Sequence, residues 1–243
     1  MRSEKVCWRD LWIVPLYFVL SFLLPFIFAI IYTLTHPVDI NHIEQEIPES
    51  LFIYSSLISL ALVLLTYYLM HIKGFFTRSI NGIKSVKHFV LLIIIGYLGI
   101  MAYNMFSGWF MELMPEHLQV KDSLNQQLIE QSFEERSLWP ALFVDIVLLA
   151  PIIEELIFRH VLIGELGKKL NFKVMSVVSV IGFTALHVIG GTSPLEFIFY
   201  IGMAAIIVYV YNKSGRNLAI SIALHMLNNF ISYIIIIFEQ LLS

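Results

Sequence analysis

At 243 residues, 58% hydrophobic and 14% charged, with a mean hydropathy of +0.82, the chain is too apolar for a soluble domain. Its net charge of -3 is sorted along the chain rather than pooled, which excludes a nucleic-acid-binding surface. The single cysteine, Cys7, excludes an internal disulfide framework and a cysteine metal cage, and reads as an inert interfacial residue.

The N-terminus has a basic start and an apolar run, but it carries Asp10 and lacks a small-residue cleavage site. It therefore reads as a first membrane helix rather than a removed signal peptide. Seven apolar spans follow, over about 11–34, 51–71, 88–111, 139–162, 173–190, 195–212 and 217–238. Lys and Arg sort by side. With the N-terminus in the cytoplasm, the inner segments hold Arg2, Lys5, Arg9, Lys73, Arg78, Lys84 and Lys87. They also hold Lys168, Lys169, Lys173, Lys213 and Arg216, leaving Lys121 and Arg136 outside. This positive-inside pattern puts the C-terminus outside. The outer segment 35–50 is acidic (Asp39, Glu44, Glu46, Glu49), and Trp8, Trp12, Trp109 and Trp139 fall near span ends as an aromatic belt. The fold class is thus all-α, a multi-pass integral membrane protein of the cell membrane.

Residues 1–138 comprise the first three spans and the longest polar connection, 112–138. Within that connection Leu124, Leu128, Ile129 and Phe133 recur at helical spacing. They predict a short amphipathic helix lying on the outer surface, with a lid over the core as the other reading. Glu134 and Glu135, beside Arg136, read as solvated. Gly202, near Ala205, predicts a close helix contact.

Residues 139–243 hold the remaining spans and nearly all the polar groups inside them. Leu149–Arg159 places Glu154, Glu155 and Arg159 in an otherwise apolar run. An ionised group in hydrocarbon costs roughly 2.5–3.5 kcal/mol on insertion scales, so three within six positions need a reason. Glu155 and Arg159, four apart, share a helix face and can neutralise each other, whereas Glu154 points about 100° away and is left for chemistry. Phe183 and His187 share a face of the fifth span, and His225 and Asn229 a face of the seventh. Glu154 with His187 could hold and deprotonate a water, while His225 and Asn229 donate to the oxyanion formed at an amide. The alternative is that Glu154, His187 and His225 ligate zinc. Ser176, Ser179 and Ser221 have no adjacent base in the sequence. Asp145 lines a water path or caps a helix contact.

Glu154-Glu155-x-x-x-Arg159, Phe183-x-x-x-His187 and His225-x-x-x-Asn229, in that order on three late spans, resemble the CAAX-protease and bacteriocin-processing family, also called the Abi family of intramembrane proteases. The resemblance covers about 139–235. It implies a helical membrane endopeptidase of bacterial type, in which Glu154 and His187 activate water and His225 and Asn229 form the oxyanion site. Glu155, Arg159 and Phe183 support them. It implies no cofactor, with zinc as the alternative. The partners implied are a peptide or membrane-protein substrate and the lipid bilayer, in pheromone, bacteriocin or leader processing or in self-immunity. The position after the arginine, often glycine in the family, is His160 here, an interfacial side chain or an added proton donor.

Two other functions compete: a non-catalytic scaffold of the same fold, and a proton-coupled transporter. Every motif residue is retained, which favours an enzyme, and no inverted repeat supports a transporter. Helix arithmetic also sets a puzzle. Glu154 and His225 lie ~12 Å from the inner ends of their spans, His187 ~21 Å, at 1.5 Å per residue. The expected site is in the cytoplasmic half, with substrate arriving from the inner leaflet. Meeting His187 there requires a fifth helix that starts below the membrane, a strong tilt, or a shift of the fourth near Pro151.

Overall fold

The computed structural model describes residues 5–38, 46–191 and 193–242. Arg2, Asp39 and Glu44 of the charge pattern lie outside them. Every regular element among the described residues is helical. A 3-10 turn (Trp8–Trp12) leads into α1 (Ile13–Thr35), followed by α2 (Glu49–Met70), α3 (Phe75–Val86) and α4 (Val90–Glu112). Then come α5 (Leu124–Ser132), a long composite α6 over 139–170, α7 (Phe172–Val188), α8 (Phe197–Lys213) and α9 (Leu218–Leu242).

Among the described residues, five helices are long and apolar enough to cross a membrane: those of α1, α2, α4, α8 and α9. Their outward faces carry Phe22, Leu91, Met105 and Phe238, apolar side chains that suit lipid. The fourth and fifth expected spans are also helical, but differ from expectation. α6 runs past 162 to Leu170, and α7 has 17 residues. At 1.5 Å per residue α7 covers about 25 Å, short of the ~30 Å hydrocarbon thickness.

The extension of α6 removes the depth puzzle. α6 and α7 form a hairpin folded at Asn171, and Glu154 precedes Asn171 by about as many residues as His187 follows it. The contacts keep this register: the Ser179 hydroxyl donates to the Phe158 carbonyl at 2.8 Å, and the Phe158 and Phe183 rings meet at 5.4 Å. α9 climbs beside α6 in the same way, with His225 against Glu155, Asn229 against Ile146 and Tyr233 against Trp139.

α6 is not a regular α-helix. Phe143–Leu149 and Leu156–Leu166 are π-helical, separated by the α-helical Ala150–Glu155. Pro151 explains the first departure. The Ala150 N–H donates to the Asp145 carbonyl in the π register, and the next residue, which would serve Ile146, has no N–H. The Asn229 amide fills that gap, donating to the Ile146 carbonyl at 3.0 Å. In the second π stretch the Ser179 hydroxyl adds a donor to the Phe158 carbonyl. Irregular backbone is tolerated at membrane depth when neighbouring side chains satisfy the groups it frees.

α1 and α2 pair antiparallel, with the Ser59 hydroxyl donating to the Leu20 carbonyl at 3.0 Å. Together they pack Ile13, Leu60 and Val63 against Ile153, Leu156 and Ile157 of α6. Asp145 turns toward this pair and accepts from the Ser56 hydroxyl at 3.0 Å, a helix contact. At the Asp10 end, one carboxylate joins three segments: Asp10 lies 2.8 Å from His71 Nε2 and 2.9 Å from His160 Nε2. His160 is therefore neither a free interfacial side chain nor an isolated proton donor. α3 is a 12-residue amphipathic helix between two of the expected spans, too short and too polar for hydropathy to mark it. It tucks beneath α9, where Asn217 donates to the Ser85 hydroxyl at 2.8 Å, and leaves Phe76, Ile80 and Ile83 exposed on one face.

α4, α8 and α9 share a third set of buried side chains, including Ile100, Ile207 and Leu224. Gly202 gives the close contact expected: a Cβ there would overlap the Tyr103 ring, whose hydroxyl donates to the Ile198 carbonyl at 2.8 Å. Gly202→Val should destabilise the solubilised protein by about 1–3 kcal/mol through overpacking. Thermal unfolding in detergent checks this, and the added Tyr103→Ala change should restore part of the loss.

Candidate active site

The site is built where α6, α7 and α9 face one another. Glu155 is fully buried, and its Oε1 lies 3.1 Å from the Arg159 guanidinium and 3.0 Å from His225 Nδ1. The Arg159 contact is an ion pair without aligned hydrogen bonds. Its guanidinium also lies over the Phe183 ring at 4.6 Å. Phe183 in turn stacks on His187, with centroids 4.4 Å apart and planes 27° from parallel, and meets the His225 ring edge at 5.7 Å. Phe183 thus touches the cation and both imidazoles.

Glu154 points away from this brace, as its position on the helix requires. Its Oε2 lies 3.9 Å from His187 Nε2 and 3.7 Å from His225 Nε2. Both separations exceed direct hydrogen-bonding distance, and a small widening would admit a water between the groups. The tautomers follow from the partners. His187 Nδ1 faces the Phe183 carbonyl at 3.0 Å, so it carries the hydrogen and Nε2 presents a lone pair to Glu154. His225 Nδ1 faces the Glu155 carboxylate, so it too is the donor, and the Nε2 of neutral His225 presents a lone pair.

The structure therefore brings Glu154, Glu155, Arg159, Phe183, His187 and His225 together. Asn229 sits one turn further along α9. One of its N–H groups goes to the Ile146 carbonyl, and Asn228 donates to its Oδ1 at 3.2 Å, fixing the amide. Sequence reasoning did not single out Asn228. It also missed Tyr200, whose ring lies 4.9 Å from that of His187.

Two sets of groups have metal-ligand chemistry. Glu154 Oε2 lies within 3.9 Å of His187 Nε2 and 3.7 Å of His225 Nε2, but the two imidazoles stand too far from each other for the three to close around an ion as placed, so zinc would require the histidines to draw together. The second set surrounds Asp10, with Cys7 and His71 on one side and His160 and Glu165 on the other. Arg9 can only donate, so its 3.0 Å contact to His71 Nδ1 puts the His71 hydrogen on Nε2, toward Asp10. Lys168 covers both Glu165 oxygens at 2.7 Å. This second set is a hydrogen-bonded clamp rather than a ligand set.

The geometry defines a multi-pass helical membrane protein with a buried carboxylate–imidazole site. Residues 136–231 match the family model described as type II CAAX prenyl endopeptidase Rce1-like, a protease family. The matched segment contains all three motifs and agrees with the CAAX-protease resemblance that they carry. It supports peptide-bond hydrolysis as the chemistry of this region. Comparisons with curated proteins and with solved structures gave no match.

Arg159→Ala should cost about 3–5 kcal/mol in unfolding free energy, because it leaves the buried Glu155 carboxylate without its cation, held by His225 alone. Replacing both partners, as Glu155→Gln with Arg159→Met, should cost less than the sum of the single changes. A double-mutant cycle of thermal or denaturant unfolding measures the difference.

Proposed function

We propose that this protein is an intramembrane endopeptidase that hydrolyses peptide bonds of membrane-associated or peptide substrates through a water activated by Glu154 and His187. One observation carries the proposal. Two acceptors, the Glu154 carboxylate and the His187 Nε2 lone pair, face each other at 3.9 Å, and a water donating to both satisfies them.

The remaining steps follow from the same contacts. A water held by both hydrogens turns its own lone pair outward, toward a scissile carbonyl carbon. As the oxygen–carbon bond forms, its proton passes to Glu154, and the carbonyl becomes an oxyanion. His225 donates to that oxyanion from Nε2 when protonated, since its Nδ1–H is already on Glu155. The second N–H of Asn229 is the other donor, and the Asn228 and Ile146 contacts hold its direction. The proton on Glu154 then goes to the leaving nitrogen as the carbon–nitrogen bond breaks. Residues 139–243 carry these groups, and residues 1–138 frame them.

Zinc is the second reading, favoured by the Glu154 carboxylate oxygen that lies near both His187 Nε2 and His225 Nε2. Those three residues would hold it, and it would supply Lewis-acid polarisation of the carbonyl. Retention of every reacting group weighs against a purely scaffolding role.

Glu154→Gln and His187→Ala should each lower cleavage by roughly 10²–10⁴-fold or more while the protein still inserts and folds. Comparative peptidomics of cells carrying wild type and Glu154→Gln reads both activity and substrate. Identical peptide profiles, with normal turnover of a reporter by the variant, would remove the mechanism. Cleavage that survives EDTA and phenanthroline supports the metal-free form, and inhibition reversed by zinc replaces it with the metal form.

A further inference from the structure

α7 is too short to reach the far face of the bundle, and the 113–138 connection fills the space beyond its end. α5 does not lie flat on the surface. Its last turn is beside Phe133, which packs on Tyr233 at 5.3 Å near the start of α6. Its first turn reaches the level of His187. There the Ser123 hydroxyl lies 2.6 Å from the Tyr200 hydroxyl, and Asn125 donates to the same oxygen at 3.3 Å. The Leu124 N–H donates to Glu196 Oε2 at 3.1 Å, while Glu196 Oε1 accepts from the Ser193 N–H at 3.2 Å. A buried carboxylate thus closes the start of α8 and the start of α5 at once, and its charge suits both helix N-termini. Gly191 makes this possible, since a Cβ there would come within 2.5 Å of the Glu196 carboxylate.

Tyr200 has a second face. Its ring lies 4.9 Å from the His187 ring at 35°, on an imidazole that already stacks on Phe183 at 4.4 Å. The same residue therefore holds α5 through its hydroxyl and touches His187 through its ring. We propose that Tyr200 is a positioning residue for His187, and that α5, docked on the Tyr200 hydroxyl and on Glu196, is a gate over the reacting groups whose position is transmitted to the imidazole through that ring. This deepens the endopeptidase proposal and rests on it for the meaning of His187.

The two halves separate experimentally. In the full-length protein in detergent, with Cys7→Ser as background, Leu124→Cys reports docking of α5 by its rate of maleimide labelling. Glu196→Gln should raise that rate by roughly fivefold for one lost hydrogen bond, and Tyr200→Phe, which loses the Ser123 and Asn125 contacts together, by at least as much. The His187 ring is followed at one fixed pH by its NMR contacts to the Phe183 ring in labelled protein, with the resonances assigned by their loss in His187→Gln. Tyr200→Leu should weaken those contacts and lower kcat more than it raises KM, whereas Tyr200→Phe, which keeps the ring, should leave the contacts in place. Unchanged labelling in both docking variants overturns the gate. Unchanged His187–Phe183 contacts in Tyr200→Leu overturn the positioning role. Neither readout requires turnover, so an inactive wild type would count against the endopeptidase proposal and leave this one decided by labelling and ring contacts.

Discussion

Glu155 sits without solvent contact between Arg159 on its own helix and His225 on α9. In low dielectric an unmet hydrogen-bonding group is costly, and moving α9 by a turn would take the His225 donor away from the buried carboxylate. That constraint fixes the register of α9 on α6. Phe183 extends it to α7, because the ring that receives the Arg159 cation is also the surface on which His187 stacks. Glu154 makes no structural contact of this kind. It is delivered to its position by a neighbour committed to packing.

The backbone pays once for this arrangement, in the π-helical stretches of α6. Inserting π turns rotates the residues that follow, so the face carrying Glu154 is set by where the register changes as much as by sequence spacing. Pro151 forces one change by withholding an N–H, and Asn229 repairs the exposed carbonyl. Asn229 therefore couples the shape of α6 to the helix that carries His225. A side chain read from sequence as an oxyanion donor also acts as a splint, and its dual commitment explains why an amide, with two donors, stands there.

The motif residues were legible because polar groups within apolar runs are costly and few, and their spacing of four put each pair on one face. The Glu155–Arg159 pairing and the separate direction of Glu154 needed nothing more. The end of α6 was not legible. A hydropathy boundary near 162 marks where the chain leaves lipid, not where the helix stops, and Glu165 with Lys168 continues it in the polar region. Asp10, His71 and His160 come from distant segments, and no local pattern joins them. Glu196 did leave a signal: Ser193-x-x-Glu196 has the form of a capping box, and the capping contacts are present. What no sequence pattern gives is that the same carboxylate also caps α5.

The two ends of the site are held by different chemistry. At the Asp10 end, one buried carboxylate binds two imidazoles from α6 and the end of α2, and the Cys7 N–H and Lys168 both bind Glu165. These contacts involve ionised or ionisable partners on three separate segments, so opening there would break several charge-assisted hydrogen bonds at once. At the α7 end, closure rests on Tyr200 and Glu196, two side chains that bind a single nine-residue helix. Few groups need release for α5 to leave, and one of them touches His187. The end of the bundle with the fewest commitments is the one in contact with the reacting imidazole, which is the arrangement a gate over a water-activating pair requires.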